Sequence, residues 1–300
     1  MLAAKPHRPS PLRLDDFWKS LSYDQHRDIR FQMDKGLWAE DGLPFSIDFF
    51  HPGWTAKEMV DIHEVVGGES RPLEFDRSLF DYGKNKIPAD VPSPPGYAGW
   101  RARCHLNSPD YMDEFLVFLG ASYFRAIPKD SPYGLSARGL SINSGLPGVP
   151  EEFPVFTRFD LKRPAKDDTS LTAWALLDGE ASRVPISSRL RPGGNRDGRR
   201  SRDHAAQAVQ QLGLAPFSSM YWFGEGTLRS RTTSARGARQ RRLLMELKRT
   251  CISARFRAPH NRFRHCVFTL EKPRSWMLVQ RDRQFVSYQD KEARYHERPV

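Results

Sequence analysis

Short segments in which apolar and polar residues alternate recur along most of the chain, and they restrict its fold class. Residues 44–49 (PFSIDF) alternate strictly, and further segments of five to nine residues follow at intervals of 10 to 20 residues, separated by turns rich in Gly and Pro. Many short strands with few helices are typical of an all-β sandwich or barrel. We therefore predict an all-β fold with strands near residues 44–49, 60–66, 99–106, 114–124, 133–142, 153–161 and 170–177. The last of these is apolar on both faces, so we expect it to lie deep in the core.

The first residues differ in character from the rest. Residues 1–14 are rich in Pro and basic side chains, which predicts a disordered lead-in before a β-sandwich domain that occupies residues 15–300. Asp15 or Asp16 is placed to cap a short helix. The lead-in lacks the apolar segment of a signal peptide, and no run of about 18 apolar residues occurs in the chain, so we expect no membrane span.

The residues that could carry metal or covalent chemistry form no recognisable motif. Cys104, Cys251 and Cys266 are far apart and odd in number, which argues against a disulfide framework or a zinc site. His51 and His63 fall on different segments without an obvious third ligand. No phosphate-binding glycine loop, zinc-protease motif or serine-hydrolase motif is present. We expect no metal and no cofactor.

Residues 119–140 are the strongest candidate for a binding segment, because aromatic and cationic side chains alternate there with glycines. Its candidate residues are Tyr123, Phe124, Arg125, Tyr133 and Arg138. Aromatic faces beside guanidinium groups suit a sugar: the rings cover C–H faces, and fixed donors meet hydroxyls. The alternative is a strand–loop–strand whose aromatic rings belong to the core and whose arginines are solvated.

The net charge of +11 is distributed unevenly. Residues 181–265 contain 19 Lys and Arg against four Asp and Glu, so the rest of the chain is mildly acidic. Residues 181–208 and 228–265 are Arg-rich and lose the strand periodicity. One hypothesis is a functional insertion that binds nucleic acid through phosphate neutralisation. The other, which we favour, is that these codons are translated in a shifted frame, because GC-rich DNA out of frame yields mainly Arg, Ala, Gly, Pro and Ser.

Collinear sequence blocks resemble one bacterial family. The blocks are FFHPG (49–53), IHEV (62–65), LFDYGKNK (79–86), LGASYFRA (119–126), YGLSARGL (133–140), EEFPVF (151–156), ALLD (175–178), LGLAPFSSMYWFG (212–224) and LVQRDRQFVSYQDKEARY (278–295). Together they closely resemble the periplasmic glucan biosynthesis proteins G and D (OpgG/OpgD, MdoG-like). The resemblance covers about residues 15–180, 209–227 and 267–299.

The resemblance implies both a fold and a function. The fold is a large N-terminal β-sandwich of the galactose-mutarotase-like supersandwich type, whose cleft holds a β-linked glucan, followed in the family by an immunoglobulin-like domain. The function is osmoregulated periplasmic glucan biosynthesis, in which the protein binds or shapes a β-1,2-linked glucan backbone. The implied partner is therefore a β-glucan polysaccharide in the periplasm, and no specific nucleic acid. The resemblance leaves the oligomeric state open.

Residue type and position in the family blocks together suggest the substrate-binding side chains. The candidates are His51, Tyr82, Tyr123, Arg125, Tyr133, Arg138, Trp222 and Arg283.

Some family members are similar to inverting β-1,2-glucanases, which use a carboxylic acid and a distant carboxylate. The family's base precedes an LLMEL segment (residues 243–247 here), and by offset Arg239 stands in its place. A guanidinium cannot accept a proton, so we assign no catalytic residue and expect impaired activity. A glucanase-like hydrolase is the alternative if the true sequence retains its carboxylates, and an Arg-rich polyanion-binding module is another.

We also expect the immunoglobulin-like domain to be missing. The Arg-rich stretches are expected to remove about four strands, which would leave a marginal fold.

Overall fold

The computed structural model describes residues 12–120, 122–130, 136–192, 195–199, 204–205, 209–214, 216–218, 241–246, 251–255, 275–280 and 284–285. The chain divides into two compact units. The first comprises Met1–Lys129 and Ser136–Phe217, and the second comprises Asp130–Leu135 and Ser218–Val300.

Short helices begin the described part of the chain. Helix α1 (Asp16–Lys19) is capped by Asp15, whose carboxylate accepts a hydrogen bond from the amide of Phe17. Helix α2 (Tyr23–Asp28) starts with a capping box between Ser22 and Gln25. Two 3₁₀ helices follow, at Met33–Lys35 and Arg77–Leu79. A short helix capped at the predicted position is therefore confirmed. None of the helices in the described ranges is long and apolar enough to cross a membrane.

Strands make up most of the regular structure. The described strands are β1 (Arg30–Phe31), β2 (Ser46–Phe50), β3 (Asp61–Val66), β4 (Glu69–Pro72), β5 (Phe80–Asp81), β6 (Gly99–Cys104), β7 (Asp113–Leu119), β8 (Tyr123–Ala126), β9 (Ser136–Arg138), β10 (Leu140–Ile142), β11 (Val155–Lys162), β12 (Leu171–Asp178), β13 (Ser182–Arg191), β14 (Asn195–Arg199), β15 (His204–Ala205), β16 (Leu212–Leu214), β17 (Phe217–Ser218), β18 (Arg241–Glu246), β19 (Cys251–Arg255) and β20 (Ser275–Gln280).

Two large sheets form the first unit. The six-stranded sheet has the order β17-β9-β8-β7-β6-β2, and the larger sheet has the order β14-β13-β12-β11-β3-β4, with β15 also paired to β13. In the larger sheet β3 runs parallel to β11, and the other strand pairs of this sheet are antiparallel. Two small ladders, β1-β5 and β10-β16, complete this unit, and the second unit has a three-stranded sheet of order β19-β18-β20.

The core lies between the inward faces of the two large sheets. Apolar side chains alternate along each strand, so one face of each sheet contributes to a shared cluster. Trp100 meets Phe159 edge to face with ring centroids 5.5 Å apart, and Phe118 meets Phe156 at 5.1 Å. Other buried members include Ile47, Phe49, Leu116, Ile62, Leu161, Leu177 and Val184. The all-β sandwich predicted from the sequence is confirmed.

Three strand predictions need correction. Residues 136–142 form two strands in different sheets, β9 and β10, with Gly139 between them. Residues 114–124 are not one strand: β7 ends at Leu119, and Gly120, with φ of 70°, begins a tight turn into β8, which pairs back as Leu119 with Tyr123. Only Gly tolerates such a φ at no steric cost, and the turn is too short to interrupt the predicted strand. The third correction concerns β12, which is buried on both faces only in its second half. Leu176, Leu177 and Asp178 are all buried, but Trp174 is 38% exposed.

The loss of strands expected in residues 181–208 is wrong for Ser182–Arg191. Strand β13 pairs with β12 over eight consecutive residue pairs, and Val184, Ile186 and Leu190 pack on the core. Pro185 lies between the residues that pair with β15 and those that pair with β14, so the missing amide hydrogen interrupts neither ladder. Arg183 is paired with the buried carboxylate of Asp178 at 3.4 Å. An apolar alternation of period two therefore survives in this Arg-rich segment.

Candidate functional site

A line of ion pairs crosses the outward face of the six-stranded sheet. It starts at Asp48 on β2, which is 1% exposed although it is charged. Arg101 donates from Nε to Asp48 Oδ2 at 2.8 Å, and Arg103 donates from Nε and Nη2 to Oδ1 at 3.0 and 2.8 Å. The register places Asp48 opposite Arg101 and Ser46 opposite Arg103, so alternation along β2 and β6 brings these polar groups to one face. The carboxylate of Asp48 is thus fully engaged by two guanidinium groups.

Glu114 continues this line to the next strands. Its Oε2 lies 3.5 Å from Nη1 of Arg101, and its Oε1 accepts a hydrogen bond of 3.0 Å from Nη2 of Arg125 on β8. Both arginine side chains remain partly open to solvent, with exposed fractions of 26% and 30%. The line therefore spans β2, β6, β7 and β8, and it holds each guanidinium in one orientation.

An aromatic and cationic group ends the line at β9. The guanidinium of Arg138 lies 3.7 Å from the ring centroid of Phe153 and 4.8 Å from that of Tyr123. It also donates a hydrogen bond of 2.6 Å to the Tyr123 hydroxyl. Leu119, next to Tyr123 in the register, is 39% exposed. This end of the face thus offers an oriented guanidinium beside aromatic and aliphatic surface.

We call the set Asp48, Arg101, Arg103, Glu114, Tyr123, Arg125, Arg138 and Phe153 the arginine face. Its four guanidinium groups outnumber its two carboxylates, so the face carries a positive excess. Arginine presents donors in a rigid planar fork, and a carboxylate partner fixes the plane of that fork. Such a surface suits a ligand with many oxygen acceptors, whose C–H groups can contact the aromatic rings.

His51 and Tyr82 lie together, in an aromatic cluster beside α1. His51 is 5% exposed, and its ring lies 4.8 Å from the ring of Trp18 between centroids. Nδ1 donates to the carbonyl of Pro52 at 2.7 Å, which leaves Nε2 to accept from the Tyr82 hydroxyl at 3.2 Å. Burial lowers the pKa of His51 to about 4, so the imidazole is neutral at pH 7. Burial also raises the pKa of Tyr82. The surroundings of His51 enclose it rather than present it to a ligand.

A family model described as "Periplasmic glucan biosynthesis protein, MdoG" matches residues 1–300. The chain belongs to this family. It is 38% identical to a glucans biosynthesis protein G of Ralstonia nicotianae over 99% of this chain and 59% of the relative. It is 37% identical to one of Rhodopseudomonas palustris, over 99% of this chain and 60% of the relative, and 35% identical to one of Vibrio cholerae, over 99% and 55%. The chain thus spans little more than half the length of these relatives.

The arginine face of this periplasmic glucan biosynthesis family member includes three of the eight binding residues predicted from the sequence, namely Tyr123, Arg125 and Arg138. Tyr133, Trp222 and Arg283 lie outside the described residues, as does Arg239. Sequence reasoning missed Asp48, Arg101, Arg103, Glu114 and Phe153. A usable signal was present: Asp48 is the one charged residue of the predicted strand 44–49, and Arg101 and Arg103 are two residues apart in the predicted strand 99–106.

A second polar network lies on the larger sheet of the same unit. Asp160 accepts hydrogen bonds from Arg158 Nη2 at 2.7 Å and from Ser70 Oγ at 2.6 Å. His63 joins it through Nε2, 2.9 Å from Asp61 Oδ1, and through Nδ1, 3.2 Å from Ser70 Oγ. Burial alone would raise the pKa of Asp160, but the hydrogen bonds from Arg158 and Ser70 lower it. Within the described ranges, no group of three or more His, Cys, Asp and Glu could hold a metal ion.

Proposed function

We propose that this chain binds or shapes a β-1,2-linked glucan backbone during periplasmic glucan biosynthesis, and that the arginine face is its contact surface. The observation that carries the proposal is the immobilisation of Arg101 and Arg125 by Asp48 and Glu114, at 2.8 and 3.0 Å. An arginine whose orientation is already fixed loses little conformational freedom when a ligand binds.

A glucan suits this surface for two reasons. Each glucose unit presents hydroxyl oxygens that accept hydrogen bonds from guanidinium groups, and C–H groups that pack on aromatic rings. Arg101, Arg125 and Arg138 supply the donors, while Tyr123, Phe153 and Leu119 supply the apolar contact. The ion pairs also neutralise part of the guanidinium charge, and the remaining N–H groups can donate to uncharged hydroxyl oxygens.

We propose further that the chain acts by binding, without hydrolysing the glucan as written. Arg239 occupies the position of the hydrolytic base, and a guanidinium cannot take up a proton. A β-1,2-glucanase-like activity is the alternative if a carboxylate stands at that position in the true sequence. Release of reducing ends from a linear β-1,2-glucan by the purified chain would favour that alternative.

We also base the proposed domain organisation and cellular location of this chain on its family. Residues 15–300 correspond to the glucan biosynthesis β-sandwich domain, which in the family precedes an immunoglobulin-like domain, and the site of action is the periplasm. The Arg-rich stretches 181–208 and 228–265 remain candidates for frame-shifted translation, which resequencing the gene across them tests.

The positive charge of these Arg-rich stretches favours one other function, binding of a polyanion. That function requires binding to DNA or RNA that weakens steeply as salt increases.

The test is calorimetric titration of the chain with short β-1,2-linked glucan oligosaccharides, with cello-oligosaccharides for comparison. The double variant Arg125→Gln, Arg138→Gln should weaken binding by about tenfold or more, because each change removes charge-assisted donors. Arg27→Gln, an exposed arginine in α2, is the matched control and should bind as the original chain does. An unchanged affinity in the double variant would remove the arginine face from the proposal.

A further inference from the structure

We propose that the outward face of the larger sheet holds a second saccharide-binding site, in which Trp174 is the stacking platform and the network of Ser70, Arg158 and Asp160 supplies the hydrogen bonds. The ligand class, a β-glucan, comes from the proposed function. The surface itself is separate from the arginine face, because it belongs to the other sheet of the sandwich.

The position of Trp174 is the first observation. Its strand, β12, is flanked on both sides by β11 and β13, so this residue stands in the interior of the sheet and not at an edge. Ala173 and Leu177 on the inward face are buried, and so is Leu176 on the outward face, whereas the indole is 38% exposed. A large aromatic side chain left open to water there is unfavourable for the isolated chain. A flat ring facing solvent from a rigid strand is also what a stacked sugar ring requires.

The polar network beside this indole is the second observation. Asp160 is the direct cross-strand partner of Trp174, and Ser187 is its partner on the other side. Arg158 holds Asp160 through two hydrogen bonds of 2.9 and 2.7 Å, and Ser70 reaches the same carboxylate across β3. The carboxylate and the guanidinium are therefore held in fixed orientations next to the indole. An isolated exposed Trp needs no explanation, but one beside a fixed group of donors and acceptors has the composition of a ligand site.

The charge of this surface selects among possible ligands. Three carboxylates, Asp61, Asp160 and Asp178, stand against five cations, Arg158, Lys162, Arg183, Arg189 and Arg191. Lys162 follows Asp160 by two residues on β11, and Arg189 pairs with Thr172, which precedes Trp174 by two, so alternation puts them on the same face. Because ion pairs with these carboxylates neutralise Arg158 and Arg183, the guanidinium donors suit the hydroxyl oxygens of an uncharged ligand. A neutral glucan meets this condition.

The binding step is non-covalent. The C–H face of a glucopyranose carries partial positive charge and packs against the negative face of the indole. Vicinal hydroxyls at the edge of the same sugar ring donate to Asp160 and accept from Arg158. A glucan long enough to reach past one glucose unit would extend along the face towards Ser187 or towards Ser70.

The experiment measures stoichiometry and affinity by calorimetry, with short β-1,2-linked glucan oligosaccharides as the probe. We expect two binding events in the original chain. Trp174→Ala should remove one of them or weaken it by about tenfold or more, and Trp174→Tyr should restore part of it, because a smaller aromatic face remains. Tyr111→Ala removes another exposed aromatic ring, 57% exposed, and serves as the control. Thermal melts followed by circular dichroism verify that each variant is folded.

The outcomes separate this inference from the proposed function. A single binding event that Trp174→Ala leaves intact and that the Arg125→Gln, Arg138→Gln variant abolishes would overturn the second site and keep the first. If Trp174→Ala loses binding while the Arg125→Gln, Arg138→Gln variant keeps it, the result would support the second site and count against the arginine face. Competition by heparin at Trp174 would contradict the preference for an uncharged ligand, and absence of any glucan binding would overturn both proposals.

Discussion

The buried imidazole of His51 should make the stability of the sandwich depend on pH in a defined window. Desolvation lowers the pKa of His51 from 6.5 to about 4, and repulsion from His26 and Arg77 acts in the same direction, against the hydrogen bond to Pro52. In the unfolded chain the imidazole takes up a proton below pH 6.5, whereas in the folded chain it stays neutral until about pH 4. Protonation therefore favours the unfolded state, and stability is lost as pH falls through this window.

The magnitude follows from the difference between the two pKa values. One pKa unit corresponds to about 1.4 kcal/mol, so the full difference is worth about 3 kcal/mol between pH 7 and pH 4. Asp and Glu side chains also contribute to the pH dependence of stability in this range. Their contribution cancels when the original chain is compared with a variant at His51. We expect the stability of the original chain minus that of His51→Gln to fall by about 3 kcal/mol across the window.

Urea unfolding followed by tryptophan fluorescence, repeated at half-unit pH steps, measures this difference. The control is Phe75→Leu, which alters a ring 5.3 Å from the His51 ring but does not titrate. Its stability should be offset by the same amount at every pH. If the difference between the original chain and His51→Gln were also constant with pH, the reasoning from burial would be refuted.

Two further predictions concern single buried groups. Asp48→Ala should lower the free energy of unfolding by about 3 to 5 kcal/mol, because it leaves Arg103 without its buried counterion and Arg101 with Glu114 alone. Urea unfolding tests this, and Glu69→Ala, which removes an exposed ion pair with Arg71, should cost less than about 1 kcal/mol. Burial, with the charge of Asp113, raises the pKa of Cys104 to about 12. In a chain carrying Cys251→Ser and Cys266→Ser, the Cys104 thiol should thus react with a thiol reagent only when urea is added, and rapid labelling of the folded chain would contradict this.

Alternation alone predicted much of the first unit, because one face of each strand meets the core. The predicted strands at residues 44–49, 60–66, 99–106 and 153–161 correspond to β2, β3, β6 and β11. The turn at Gly120 was missed because it is short, so the apolar residues up to Leu119 and those from Tyr123 onward read as one strand. Strand β13 was missed because its arginines and Pro185 obscure the alternation of Val184, Ile186 and Leu190.

The candidate site was only partly predictable, for a different reason. The types of Tyr123, Arg125 and Arg138 mark them as candidates for binding without any knowledge of their neighbours. The roles of Asp48 and Glu114 depend on which strands lie side by side and in which register. Asp48 is more than 50 residues from Arg101 along the chain, and no local pattern connects them. The exposure of Trp174 depends in the same way on which face of β12 the core covers.

The parallel pairing of β3 with β11 determines when this sandwich can assemble. It joins residues separated by about 100 positions, with Asp61 opposite Arg158 and Ile62 opposite Phe159. Contacts this distant form slowly, because a long loop must close before they stabilise anything. During synthesis, which starts at the N-terminus, the apolar side of β3 therefore stays uncovered until β11 has also been made. During that interval the hairpin of β3 and β4 is the segment most exposed to wrong pairing with another chain.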